Sequence, residues 1–364
     1  MQAKNYQCPC CGSTLTYNGH AAQMKCASCG NEYPVDALDE YMQNAQVEDT
    51  SPEQMGWEKP SYAASNGDTE HLRAYHCPGC GAEMVVSDTS AADTCPYCGN
   101  PAVMPGVLEG DFRPSAVIPF VMSKQDAKDA FKAFCAKKRL LPRNYANDTV
   151  MEKITGIYVP FWLFDCDTEG DVTYNATRVS TRRQGSYEII NTAHYSVRRG
   201  GHFSFAEVPV NSSTKLDDTL MEAVEPFDTD DLTDYDPAYL SGYQAERYDQ
   251  GVETCQVRAG QRVRESVVRA CRETVRGYTS VTPVHTQVRM LRSQSRNVLM
   301  PVWMLTTQYK GKKYIFAMNG QTGQIRGDLP MDGGKAFGFC TLLFLLMTGG
   351  FFGIMYVLFS MGVL

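Results

Sequence analysis

The sequence predicts an α+β protein, and three observations carry that reading. Four Cys-x-x-Cys-Gly knuckles crowd the first hundred residues, two apolar Pro-x-Trp runs recur 141 positions apart, and residues 336–364 hold no charge. Together they describe two small N-terminal zinc ribbons, a mixed α+β body with two related β-rich halves, and one C-terminal transmembrane helix.

The knuckles form two copies of one pattern, offset by 69 positions: Cys8/Cys11 with Cys26/Cys29, then Cys77/Cys80 with Cys95/Cys98. Both copies leave fourteen residues between their pairs, and a glycine (Gly12, Gly30, Gly81, Gly99) follows each second cysteine. Two thiolates separated by two residues reach one tetrahedral ion only if the backbone turns sharply, which glycine permits. Four thiolates close the site, so the expected cofactors are two structural zinc ions with no position for an activated water. The runs between the pairs, Thr14–Tyr17 and Glu83–Val86, are too short to bury a core. Zinc is therefore expected to supply most of each ribbon's folding free energy, on the order of 10 kcal/mol. Cys10 sits inside the first knuckle, where it could swap with Cys8 or Cys11.

The chain has 364 residues and a formal charge of −7, enough for one sizeable core beside the ribbons and a tail. Six further cysteines (Cys10, Cys135, Cys166, Cys255, Cys271, Cys340) show no paired spacing, which with reduced thiolates indicates a reducing compartment. The start, Met-Gln-Ala-Lys-Asn-Tyr, reads as no secretory signal. At the other end, the 29 residues from Ala336 to Leu364 include six Phe and six Leu. A span needs about 20 apolar residues, whereas the halves on either side of Gly349-Gly350 are each too short to cross. The expected localisation is the cell membrane, single-pass and tail-anchored, with the N-terminal bulk in the cytoplasm.

The expected organisation is ribbon one over residues 1–36, a flexible linker over 37–73, ribbon two over 74–104, the body over 112–332 and the span over 336–364. The linker is polar and poor in aliphatics, with Trp57 free to dock. In the body, Ser123 reads as the N-cap of a helix that places Ala127, Ala130, Phe131 and Phe134 on one face and stops near Arg139. The run Ile157–Phe164 matches Val298–Leu305, aligning Pro160 with Pro301 and Trp162 with Trp303. Proline donates nothing to a ladder, so each run is expected at an edge or a bulge. A hairpin follows the second run, turning at Lys310-Gly311-Lys312 and again at Asn319-Gly320. Between the halves, Asp217–Asp236 holds nine carboxylates and no base. It lacks the glycine and terminal glutamate of a calcium loop and reads as a solvated loop.

A helix is expected over Val252–Arg276. Its Arg258, Arg262, Arg269, Arg272 and Arg276 fall within an arc of about 80°, opposite Val263, Val267, Cys271 and Val275. Two readings stay open: a solvated face over a packed one, or a stripe that meets anionic lipid or an acidic partner.

Nucleic-acid binding is the familiar use of such ribbons, and a factor of transcription or replication is the alternative function. Charge opposes it: residues 1–110 hold four basic and fourteen acidic side chains, the reverse of what phosphate contacts need. Enzyme activity is not expected. There is no phosphate-binding Gly-rich loop with Lys-Ser/Thr, and the six histidines form no His-x-x-x-His pair.

Cys77-Pro-Gly-Cys-Gly-Ala-Glu, Cys95-Pro-Tyr-Cys-Gly-Asn-Pro, Val117-Ile-Pro-Phe and Gly156-Ile-Tyr-Val-Pro-Phe-Trp-Leu-Phe, with Tyr239-Leu-Ser-Gly-Tyr and Asn319-Gly-Gln-Thr-Gly, cover nearly the whole chain. In combination they resemble the bacterial TFIIB-type zinc-ribbon membrane proteins of the YdjG-like family. Such proteins are often labelled PriA-like helicases, but this chain has no motor motif. The resemblance implies PspA-like or SPFH-like protein partners in an envelope-stress system and transfers no catalytic residue. The resulting expectation is a zinc-ribbon membrane adaptor or scaffold that recruits or anchors partners.

Overall fold

The computed structural model describes residues 6–9, 13–19, 22–39, 49–58, 72–87, 95–100, 104–106, 114–142, 145 and 147–360. The elements in chain order are β1 (Leu15–Asn18), β2 (Gln23–Cys26), β3 (Glu32–Pro34), β4 (Leu72–His76), β5 (Glu83–Ser87), β6 (Met104–Gly106), β7 (Ala116–Val117), α1 (Lys124–Ala136) and α2 (Asp148–Met151). There follow β8 (Thr155–Gln184), β9 (Tyr187–Asn211), α3 (Asp218–Ala223), β10 (Thr233–Asp234), β11 (Gln244–Glu246), α4 (Val252–Thr274), β12 (Ser280–Tyr309), β13 (Lys312–Asn319), β14 (Ile325–Gly327) and α5 (Gly333–Ser360). The chain is mixed α+β and divides into two compact units. The first comprises Met1–Tyr62, Leu163–Val210 and Val252–Ser295, the second Ala63–Trp162, Asn211–Gly251 and Arg296–Leu364.

In the first unit, β1, β2 and β3 form an antiparallel meander in which Leu15 faces Cys26 and Met24 faces Tyr33. Its core is small: Cys8, Leu15, Met24, Cys26 and Leu38, flanked by Tyr6, Tyr33 and Val35. Elsewhere in this unit β8 pairs with β9 and with β12. Helix α4 covers that sheet, and the spacing of Val263, Val267, Cys271 and Val275 brings them onto Val172, Tyr174 and Val288. Gly170 permits the close approach, since a Cβ there would lie 2.5 Å from Val267.

Residues 49–58 lie within the segment expected to be a flexible linker, yet they are packed. Met55 is buried, Met290 N donates to its carbonyl at 2.9 Å, and Asp49 pairs with Arg264 at 2.7 Å. Trp57 docks edge-on against Phe164, ring centroids 5.3 Å apart. Two apolar side chains in a polar stretch are enough to fasten it.

In the second unit, β5 joins β4 and β11 antiparallel, and β11 runs parallel to β8, with Gln244 opposite Ile157. Symmetrically in register, β7 runs parallel to β12 with Ala116 opposite Val298. The two proline runs are therefore not edge strands. Pro301 lies between the stretch of β12 that pairs with β7 and the stretch, from Val302, that pairs with β13. Pro160 lies just past the two residues of β8 that pair with β11. Short neighbours end before the missing N–H is needed, and the proline carbonyls are used instead: Ser212 N and Gly320 N donate to Pro160 O and Pro301 O.

Helix α1 starts as expected, with Ser123 and Asp126 forming a reciprocal capping box. Its Ala127, Phe131 and Cys135 pack with Trp303, Leu305 and Phe316. The acidic stretch is not a loop throughout. Asp217 caps α3, accepting from Leu220 N at 3.1 Å, and Asp228 and Asp236 cap two short 3-10 turns. The capping carboxylates are exposed, as a solvated stretch requires, and at helix starts they also satisfy orphan amides.

Helix α5 contains one segment, Gly333–Met355, long and apolar enough to cross a membrane, with mean hydropathy 2.0 and none of it buried. Phe337, Phe344 and Met347 are each more than 60% exposed.

Candidate metal centres

Three of the four knuckles share one backbone plan. In each, the first cysteine's N–H donates to the carbonyl five residues on: Cys26 to Asn31, Cys77 to Ala82 and Cys95 to Asn100, all at 2.9 Å. The following glycine donates back to that cysteine's carbonyl, at 3.0 Å for Gly30, 2.8 Å for Gly81 and 2.9 Å for Gly99. Closing both bonds forces the glycine to positive φ, observed at +75°, +72° and +73°. That is the physical reason a glycine follows each pair. In the remaining knuckle Cys8 N donates to Ser13 O at 2.8 Å; Cys10, Cys11 and Gly12 lie outside the described residues.

The sequence pairing brings the sulfurs together. Cys77, Cys80, Cys95 and Cys98 have their Sγ atoms within 4.8 Å of one another, as do Cys8, Cys26 and Cys29. Specific separations are 3.5 Å for Cys77–Cys98, 3.6 Å for Cys80–Cys95 and 3.5 Å for Cys8–Cys29. A tetrahedral ion at about 2.3 Å from each sulfur separates them by about 3.8 Å. A disulfide needs about 2.05 Å. Both groups can hold a metal ion.

Electrostatics divide the second cluster. Burial opposes ionisation of Cys77, but the Cys80 and Gly79 amides donate to its sulfur and leave the thiol at about 7, below the ordinary thiol value. Burial favours the protonated thiols of Cys80 and Cys95, so a metal ion held by all four sulfurs would displace those protons.

The two clusters are mounted differently. The first rests on the small meander core. The second is built into its unit's sheet: Met84, Val85 and Val86 of β5 are buried, and Met84 and Val85 pair onward to β11. Its second knuckle is fastened as well, since Thr306 Oγ1 donates to Pro96 O at 2.7 Å. Tyr97 Oη donates to Glu246 Oε2 at 2.8 Å, and Ser213 Oγ donates to Glu246 Oε1 at 2.7 Å. Glu246 is 2% exposed, and burial raises its carboxyl to about 7. The Tyr97–Glu246–Ser213 chain was missed in sequence, where Tyr97 offered only its place inside a knuckle. Apolar burial and strand pairing therefore join any metal in holding the second module.

The α4 arginines are differently committed. Arg258 donates to Gln261 Oε1, Arg262 to Pro209 O, Arg272 to Val275 O and Arg276 to Glu273 O. Arg269 is exposed and makes no hydrogen bond among the described residues. The remaining motif residues meet in one aromatic cluster of the second unit. Phe120 stacks on Tyr243 at 4.2 Å and meets Tyr158 and Trp303, each at 5.0 Å. Gly156 and Gly320 border it: a Cβ would lie 2.6 Å from Tyr243 at the first and 2.7 Å from Phe120 at the second. Asn319 is fully buried and donates to Val224 O and Pro226 O, both at 3.0 Å.

Over 358 residues the chain is 34% identical to "Uncharacterized protein YdjG" of Bacillus subtilis (strain 168), covering 95% of this chain and 99% of that protein. No family model matches the chain, and no solved structure does.

Proposed function

The chain belongs to the family of YdjG, and from that premise we propose that it is a zinc-holding membrane adaptor. One observation carries the reading: four sulfurs surround the second site, which leaves no coordination position for water. A metal there shapes a surface rather than a reaction. Zinc is the ion that best suits two all-cysteine tetrahedral sites, with Cys11 completing the first, and a cytosolic location keeps their thiols reduced. Helix α5 anchors the assembly in the cell membrane, and the two modules are docking surfaces for protein partners. By resemblance these partners are PspA-like or SPFH-like proteins of an envelope-stress system. On α4, Arg269 is the arginine best placed to add an acidic-partner or lipid contact. The matching parallel partners at Ile157 and Val298 support a body made of two related halves.

Affinity purification from native membranes tests the proposal. The intact chain should recover such partners, and Cys8→Ser/Cys26→Ser or Cys77→Ser/Cys95→Ser variants should lose them. Recovery of polymerase or replisome subunits instead would overturn it. Metal analysis of the purified chain should find about two zinc ions per molecule; iron in their place would overturn the zinc assignment.

A further inference from the structure

The β8–β9 hairpin ends in a tip that neither metal cluster nor core explains. Residues 178–192 are all exposed. The strands turn through Gly185 and Ser186, with Gly185 at φ +63°, and Ser180 Oγ donates to Asn191 O at 3.5 Å. That register sets Arg182 across from Ile189 and Arg183 across from Glu188. A free-standing two-stranded ribbon is marginal in water. This one nevertheless presents Tyr187, Ile190 and Ile189 at 77%, 64% and 46% exposure. Its charge is the reverse of the molecule's: Arg178, Arg182 and Arg183 stand against Glu188 alone, while the whole chain is −7.

We propose that this tip docks on the anionic surface of a bilayer. Tyr187, Ile189 and Ile190 enter the headgroup region, and Arg182 and Arg183, level with Ile189 and Glu188 on the facing strand, meet lipid phosphates beside them. Two features favour this occupant: exposed apolar side chains interleaved with arginines are the chemistry of interfacial anchoring, and α5 brings the chain to a membrane. The inference thus rests on the membrane reading of α5. An acidic protein or a second copy of the chain would use the same charge without the lipid.

The full chain, reconstituted in nanodiscs, separates these cases. Hydrogen exchange at residues 180–192 is compared between phosphatidylcholine discs and discs with added phosphatidylglycerol. Each Arg near an anionic surface strengthens binding about fivefold, so exchange at the tip should slow by roughly 25-fold on the anionic discs. Arg182→Glu/Arg183→Glu should abolish that slowing, and Ile189→Asp/Ile190→Asp should weaken it. Incorporation with equal tip exchange on both lipids overturns the proposal while leaving the anchor intact. Tip protection that follows protein concentration rather than lipid charge does the same in favour of a second copy. Failure to incorporate overturns the anchor reading and this one with it.

Discussion

Glu246 holds the second cluster to its sheet with a carboxyl that burial makes reluctant to ionise. Desolvation is the main cause of its raised pKa, and nearby Asp249 adds to it. The hydrogen bonds from Ser213 and Tyr97, and the charge of Lys215, work the other way. Burial and the Glu246 charge also hold the Tyr97 hydroxyl protonated, so it remains a donor. Because the folded pKa, about 7, lies above the ordinary carboxylate value, the folded state keeps a proton that the unfolded chain has released. The contribution of this group to stability is therefore full below about pH 4.5, falls between about 4.5 and 7, and is level above that. Glu246→Gln removes the titration and keeps one of the two acceptor oxygens, the amide N–H having to donate to the other hydroxyl. The melting temperature of the native chain, measured relative to Glu246→Gln at equal zinc, should fall as pH rises through that window. Thiol protonation at acid pH acts on both proteins and cancels in the difference. A difference independent of pH would refute the role assigned to the buried carboxyl. Glycine gives a second test at this scale. A Cβ at Gly156 meets Tyr243 and Trp303, whereas one at Gly19 meets nothing within 4 Å. Gly156→Ala should cost about 1–3 kcal/mol in denaturant unfolding, and Gly19→Ala should leave stability nearly unchanged.

Elements whose cause is local were legible in the sequence. The Ser123 cap, the inward face of α4 and the Lys310–Lys312 turn need only nearby residues, and each forms where its pattern lies. The cysteine pairing was legible for the same reason, since a knuckle is a local turn repeated. What stayed hidden depends on partners distant in sequence. Nothing near Met55 or Trp57 announces that β12 and Phe164 will cover them, and nothing near Glu83 announces that β5 will extend a sheet through β11. The same difference between local and distant support predicts how the modules respond to metal loss. β1–β3 rely on a core of a few side chains beside Cys8 and Cys26. β5 is paired onward to β11 and mostly buried. Chelation should raise hydrogen exchange in β1–β3 toward the unfolded rate, while β5 keeps much of its protection. Equal loss in both modules would show that the pairing with β11 depends on the metal.

At the scale of the molecule, α5 is the described helix long and apolar enough to cross a membrane. The segment Gly333–Met355 has 23 residues, about 35 Å of helix, against a hydrocarbon core of about 30 Å. Its large apolar side chains are exposed, which in water would make an aggregating surface and in lipid makes a span. Its start is tied to the second unit: Lys335 Nζ donates to Leu141 O at 2.7 Å and Asp332 N to Leu140 O at 2.9 Å. Through these contacts a bilayer would hold the start of the helix at the polar surface, with Lys335, near that start, as the one charge of the segment. Truncation after Asp332 should therefore release the chain from membranes as a folded, zinc-loaded protein, while the full chain should stay in the membrane fraction through alkaline carbonate and leave it only in detergent. Release of the full chain by carbonate would make α5 a peripheral helix, and retention of the truncated chain would assign its attachment to another surface.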